Sequence, residues 1–204
     1  LREVCEATIA YMEDPEVDLL EYMPAPDFAG GASLIYDEEA VRRIYQTGRG
    51  GFRLRARYRY DKKNNLIEIY EIPYSTTVEA IIDDITKQVK SGKLKDITDV
   101  RDETDLKGLR ITLDLRRGID PDDLMNRLFK MTVLESTFSC NFNILIRGTP
   151  RVMGVREIIE EWLVFRRETM RRGLTYDLQK NRERLHLLEG LAAILLDIDL
   201  AIKL

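Results

Sequence analysis

From Phe52 to Tyr60 the chain alternates without interruption. Phe52, Leu54, Ala56, Tyr58 and Tyr60 fall on one side, and Arg53, Arg55, Arg57 and Arg59 on the other. A period of two marks a half-buried β-strand, because successive side chains of an extended backbone point to opposite faces. Residues on one face repeat about every 6.7 Å. Four guanidiniums at that spacing repel one another unless negative charge faces them. Phosphates are one source, since a guanidinium matches phosphate through two parallel N–H donors. Glutamates on a neighbouring strand are the other, and would make the row a solvated structural face. Lys62-Lys63-Asn64-Asn65 has the composition of a hairpin turn, and residues 66–72 read as the return strand. Glu68 and Glu71 have opposite parity, so only one is expected to face the arginines, leaving that face positive.

Net charge sharpens the point. The chain carries −4 overall, but residues 1–40 hold one base, Arg2, against eleven acids, while residues 41–60 hold seven arginines and no acid. An acidic body argues against a general nucleic-acid coat; a basic stripe on it argues for a confined anion-binding face. With 204 residues there is room for one large domain, or one domain and an appendage. No run approaches the roughly 20 apolar residues of a membrane span, and the start lacks a secretory pattern. Cys5 and Cys140 fit buried thiols in a reducing cytoplasm better than a disulfide framework. His186 sits among Leu185, Leu187 and Leu188 and reads as a packing or surface residue; without a second His or a Cys pair no transition-metal site is expected. The chain opens on Leu1 and closes on Ile202-Lys203-Leu204 within a helical pattern, so it is expected to be part of a longer protein.

Along the chain, residues 1–12 and 17–23 read as short helices separated by Asp14-Pro15. Residues 24–31 form a Pro- and Gly-rich loop, residues 34–36 a brief strand, and Asp37 caps a helix through Tyr45. Thr76 and Glu79 have capping-box spacing ahead of Val78, Ile81, Ile82, Ile85 and Val89. Strands are expected at 97–100, 109–115 and 137–147, with Asp120-Pro121 starting a helix that runs to about Leu134. Beyond Gly154 no proline occurs, and Ile158, Ile159, Trp162, Leu163, Leu174, Leu178, Leu185, Leu188, Leu191, Leu195 and Ile198 recur at spacings of three and four. About fifty helical residues would form a rod about 75 Å long, more than a domain of this size can cover. Arg166, Arg167, Arg171 and Arg172 on it are a second phosphate-facing cluster or a solvated face. The fold class is therefore α+β: a mixed or antiparallel sheet with flanking helices, then a long projecting helix of the coiled-coil type.

Several stretches together resemble one family. Pro26-Asp27-Phe28, Tyr45-Gln46-Thr47-Gly48-Arg49-Gly50, the arginine strand, Glu71-Ile72-Pro73-Tyr74, Arg101-Asp102-Glu103-Thr104-Asp105, Gly108-Leu109-Arg110-Ile111 and His186-Leu187-Leu188-Glu189-Gly190-Leu191 are similar, in family order, to the A subunit of bacterial type IIA topoisomerases, DNA gyrase and topoisomerase IV. The resemblance implies a helical lead-in over 1–27 from a winged-helix region, a tower-like domain over 28–150, and the first arm of a coiled coil over 151–204 that leads to the C-terminal dimer gate. It implies a DNA-positioning role, with Arg43, Arg49, Arg53, Arg55, Arg57 and Arg59 on the backbone of the gate duplex, inside a cytoplasmic enzyme that couples DNA breakage and reunion to ATP hydrolysis. The implied partners are double-stranded DNA, the B subunit and another copy of the A subunit, with no membrane. Magnesium and ATP would belong to the B subunit, so no cofactor and no metal site is expected in this segment. The family's nucleophile, a tyrosine beside an arginine, belongs to the winged-helix domain that precedes this region, so no catalytic residue is expected here. Arg57-Tyr58 and Arg59-Tyr60 imitate that pair in a strand context. Gln46 stands where the family more usually has Arg, and Ser75-Thr76-Thr77 where Asn-Lys is common, which removes positive charge. Whether the parent is a gyrase or a topoisomerase IV stays open. A competing reading from another class is a structural dimerisation scaffold whose arginines touch only solvent.

Overall fold

The computed structural model describes residues 1–196 and residue 202. The chain divides into two compact units, Leu1–Arg156 and Glu157–Leu204. The first begins with α1 (Arg2–Glu13), a single 3-10 turn at Leu19–Glu21, β1 (Ser33–Ile35), α2 (Glu38–Thr47), β2 (Arg49–Arg55), β3 (Arg57–Asp61) and β4 (Leu66–Glu71). It continues with α3 (Val78–Lys90), β5 (Ile97–Asp102), β6 (Ile111–Leu115), α4 (Pro121–Met131), β7 (Glu135–Asn141), β8 (Asn143–Ile146) and β9 (Thr149–Val152). The last helix, α5 (Val155–Leu196), starts at the end of the first unit and supplies the described helix of the second.

Helix starts follow side-chain chemistry. The Asp37 carboxylate accepts from the Ala40 amide, and Asp120 from the Asp122 and Asp123 amides with Pro121 in the first turn, satisfying N–H groups that have no partner inside a helix. Thr77, rather than the expected Thr76, caps α3 through the Ala80 amide.

Every strand pair is antiparallel. The order is β1-β2-β7 in one sheet, β3-β4-β6-β5 in a second, and β8-β9 form a separate hairpin. The arginine stretch, expected as one strand, is therefore two: β2 lies in the three-stranded sheet and β3 at the edge of the four-stranded one. Ala56 makes the crossing, its amide donating to the Leu134 carbonyl at 2.8 Å. Likewise the expected strand 137–147 breaks at Phe142, whose amide is taken by the Gly48 carbonyl at 2.8 Å.

The main core lies between the four-stranded sheet and helices α3 and α4. Ile67, Ile69, Ile111 and Leu113 from the sheet meet Ile81 and Ile85 of α3 and Leu124 and Leu128 of α4, all fully buried. A smaller cluster of Val41, Ile44, Phe52 and Cys140 joins α2 to the three-stranded sheet, with Phe28 edge-on to Phe52 and Phe138. Cys140 is buried as expected, but Cys5 is exposed on α1.

Helix α5 has 42 residues, about 63 Å at 1.5 Å per residue, and runs through Gly173 and Gly190 without a break. Ile159 and Leu163 are buried, whereas Leu174, Leu178, Leu185, Leu188, Leu191 and Leu195 are more than half exposed or close to it. Ile198 of the expected stripe lies outside the described residues. Among the described residues no helix is long and apolar enough to cross a membrane.

Gly48 ends α2 in the left-handed region, at φ 70°, and a Cβ there would lie 2.3 Å from the Met153 carbonyl oxygen. Gly48→Ala is expected to lower unfolding free energy by about 2–4 kcal/mol, combining left-handed strain with a backbone clash. Gly190→Ala, at a helical site with open space around it, is expected to raise it by up to about 1 kcal/mol. Urea titration followed by circular dichroism measures both.

Candidate nucleic-acid interface

Register builds the site. In β2, Arg55 lies opposite Glu135 of β7 and Arg53 opposite Thr137. Residues two apart share a strand face, so Arg53 and Arg55 both reach Glu135: Arg53 on one carboxylate oxygen, and Arg55 on the other through Nε at 2.8 Å and Nη2 at 2.7 Å. The guanidinium of Arg55 also lies over the Phe129 ring, 4.5 Å from its centroid.

On β3, in the four-stranded sheet, a bulge in the partner strand sets the pairing. Arg57 pairs with Glu71, Tyr58 with Ile69, and Arg59 with Glu68, so β4 takes one extra residue, Tyr70, between the first two pairs. A bulge resets the alternation of the strand that carries it. Glu71 and Glu68 therefore both point at arginines: Arg57 Nη1 lies 3.2 Å from Glu71, and Arg59 Nε bonds Glu68. This corrects the parity expectation that one acid only would face the row. Three carboxylates stand against four guanidiniums.

The two signs are not equally placed. The side chains of Glu135, Glu71 and Glu68 are 11%, 26% and 14% exposed, against 61%, 38%, 50% and 66% for Arg53, Arg55, Arg57 and Arg59. The acids form an inner rank and the guanidiniums an outer ledge. Glu71 has a second task, accepting the Ala32 amide at 2.7 Å and so tying the 28–32 loop to the ledge. Glu68 is further shared with Arg110, at 3.6 Å.

Arg43 and Arg49 are exposed, and among the described residues neither makes an ion pair. Thr47 fixes the turn between them: its hydroxyl donates to the Arg43 carbonyl at 2.8 Å and accepts from the Arg49 amide at 3.3 Å. Of the six arginines picked out from sequence, the fold thus sets Arg53, Arg55, Arg57 and Arg59, on successive strands, as a ledge over an inner rank of acids. It leaves Arg43 in the last turns of α2 and Arg49 at the opposite end of β2 from Arg55. Arg166, Arg167, Arg171 and Arg172 are exposed on α5.

Tyr58 and Tyr60 are strand residues with engaged hydroxyls. Tyr58 packs beside Phe129, centroids 6.1 Å apart, and donates to Asp122 at 2.8 Å; Tyr60 donates to Asn65 at 2.9 Å. Burial first, then the Asp122 carboxylate, pushes the Tyr58 phenol up to about 12, far from the ionised form a nucleophile needs. Burial alone would raise Glu135, but the hydrogen bonds and charges of Arg55 and Arg53 outweigh it and hold the carboxyl below its ordinary range.

The fold and ledge define an α+β, antiparallel-sheet module with a phosphate-compatible cationic rim and a long C-terminal helix. The family model for the A subunit of DNA gyrase/topoisomerase IV matches residues 1–204. The chain is 36% identical over 210 residues to the DNA gyrase A subunit of Borrelia hermsii, covering all of this chain and 26% of that protein. It is 37% identical over 210 residues to the DNA topoisomerase 4 A subunit of Escherichia coli, covering all of this chain and 28% of that one. The DNA gyrase A subunit of Halalkalibacterium halodurans is 34% identical, again across the whole chain. The chain belongs to the family of DNA gyrase/topoisomerase IV A subunits, and it spans about a quarter of the length of these relatives.

The lowered pKa of Glu135 has a signed consequence. A carboxyl depressed in the folded state stabilises the fold fully above its unfolded value, 4.5, and loses that contribution as pH falls through the folded value. Wild type is therefore expected to melt higher than Glu135→Gln at neutral pH, with the gap closing below about pH 4.5. Thermal melts between neutral and strongly acidic pH check this; a gap that is constant with pH would contradict it.

Proposed function

We propose that this chain is the DNA-positioning part of the A subunit of a type IIA topoisomerase, holding an arm of the gate duplex along the arginine ledge while α5 leads toward the dimer gate. The observation that carries the reading is the layering of charge: four guanidiniums, 38–66% exposed, stand outside carboxylates that are 11–26% exposed. Guanidiniums in a row suit a phosphate backbone and carry no base readout, so contact is sequence-indifferent and falls with salt. Membership of the gyrase/topoisomerase IV family of A subunits supports the same reading. In the parent enzyme, DNA breakage and reunion would use a tyrosine outside this chain, and ATP and magnesium would belong to a B subunit in the bacterial cytoplasm.

A second reading has its own support. Leu174, Leu178, Leu185 and Leu188 are exposed on α5 at helical spacing, which suits pairing with another helix, in an A-subunit dimer of the parent or in a scaffold without DNA contact. Sedimentation with and without duplex separates the two: a tight dimer with no DNA affinity favours the scaffold.

Fluorescence anisotropy with a labelled duplex tests the main reading. The triple variant Arg53→Gln, Arg55→Gln, Arg57→Gln is expected to bind at least about tenfold more weakly near 0.1 M salt, with a shallower salt dependence. Unchanged affinity in a variant that still melts cooperatively would rule the ledge out.

A further inference from the structure

We propose that Glu135, Glu71 and Glu68 are resident counter-ions that set how tightly the arginine ledge holds DNA; the inference rests on the DNA-binding reading above. A phosphate-binding row would ordinarily be left without acids. Here each arginine of the ledge has a carboxylate behind it, and Glu135 serves two. The placement depends on a backbone irregularity: an unbulged β4 would turn Glu68 and Glu71 to opposite faces, and the extra residue Tyr70 brings both to the arginines.

The acids are 11–26% exposed and the bases over them 38–66%, so the pairs serve the fold, and the same pairs bear on an incoming polyanion. Three carboxylates offset most of the charge of the four guanidiniums, with Arg110 adding a further base at Glu68, which lowers long-range attraction and the number of counter-ions that DNA releases on binding. The guanidiniums nevertheless keep free donors. Arg57 meets Glu71 through Nη1, and Arg59 meets Glu68 through Nε, while each group carries five N–H donors in all. A phosphate oxygen docks on the outer donors without breaking the inner pair. The carboxylates thus orient the arginines and, by the same contact, cap the strength of the grip. A duplex that must be held, moved and released is served by contacts of this exchangeable kind.

Glutamine keeps a carbonyl acceptor and removes the charge, so Glu→Gln variants separate charge from geometry. In the 204-residue chain, Glu135→Gln and, separately, Glu68→Gln are each expected to bind a labelled duplex about threefold to tenfold more tightly near 0.1 M salt. Each should steepen the slope of log K against log salt by about 0.9. Thermal melting verifies folding, and Glu68→Gln carries the test if Glu135→Gln fails to fold. Weaker binding in both variants would make the carboxylates clamps rather than counter-ions, and an unchanged affinity and slope would make them bystanders; either result overturns the proposal. If the arginine triple variant loses binding while the Glu→Gln variants match wild type, only this inference falls. If the arginine variant also binds normally, the DNA-binding reading itself falls.

Discussion

The 52–60 stretch buries one side of its alternation in two places at once. Phe52 joins Val41, Ile44 and Cys140 beside the three-stranded sheet, whereas Ala56 belongs to the core of the four-stranded sheet and Tyr58 packs against it. Two strands joined at a single residue cannot slip by one residue in either sheet without exchanging their apolar and arginine sides. Register in β2 and register in β3 are therefore coupled through Ala56, whose small side chain and single backbone bond to Leu134 let the chain pass without a turn. The outward direction of Arg53 and Arg55 follows from that coupling, since Phe52, Leu54 and Ala56 beside them are buried; Arg57 and Arg59 alternate with Tyr58, packed beside Phe129, and Tyr60, bonded to Asn65.

Electrostatics then acts on a frame already set by packing. Moving an isolated guanidinium or carboxylate out of water is costly, so the inner rank of acids is tolerable only because bases cover it. Glu135, the least exposed of the three, receives both Arg53 and Arg55, and Glu68 receives Arg59 and Arg110. The arginines, at the rim, are the more exposed partners and remain open to exchange, with salt screening their reach to about 10 Å at 0.1 M. Stiffness and availability are usually opposed in long side chains. Here aromatic faces help reconcile them: the guanidinium of Arg55 lies over Phe129 and that of Arg57 over Tyr70, 5.6 Å from the ring centroid, so a ring supports each group while the side chains stay partly exposed.

What the sequence displayed, and what it hid, divides along range. Period-two alternation, cap residues at Asp37 and Asp120, and the long three-and-four repeat behind α5 are local signals; the capped helices and α5 are present, while the alternating stretches 52–60 and 137–147 are each divided between two strands. The α+β class followed from their order. The split of the arginine stretch was not legible, because nothing at Ala56 interrupts the alternation; only pairing with β7 and β4, in different sheets, reveals it. Glu135 lies eighty residues from Arg55, and no local rule joins them. The error over Glu68 and Glu71 came from assuming an unbroken ladder: parity is sound arithmetic until a bulge adds a residue, and Tyr70 carries no composition cue such as glycine to announce one. Thr77 in place of Thr76 as the α3 cap is an ordinary one-residue boundary shift.

Chemistry, as distinct from pattern, also decides what Arg57-Tyr58 and Arg59-Tyr60 are. An arginine beside a tyrosine on an extended strand places the two side chains on opposite faces, so the guanidinium cannot support ionisation of its neighbour's phenol. For Tyr58 the nearest influences run the other way: burial and the carboxylate of Asp122 both favour the neutral hydroxyl, and only Arg55 opposes them. The tyrosines face Phe129 and Asn65, while the arginines face carboxylates and solvent. One strand thus separates its two residue types into two jobs, apolar anchoring on one side and charge display on the other. The dipeptide is a by-product of alternation between them.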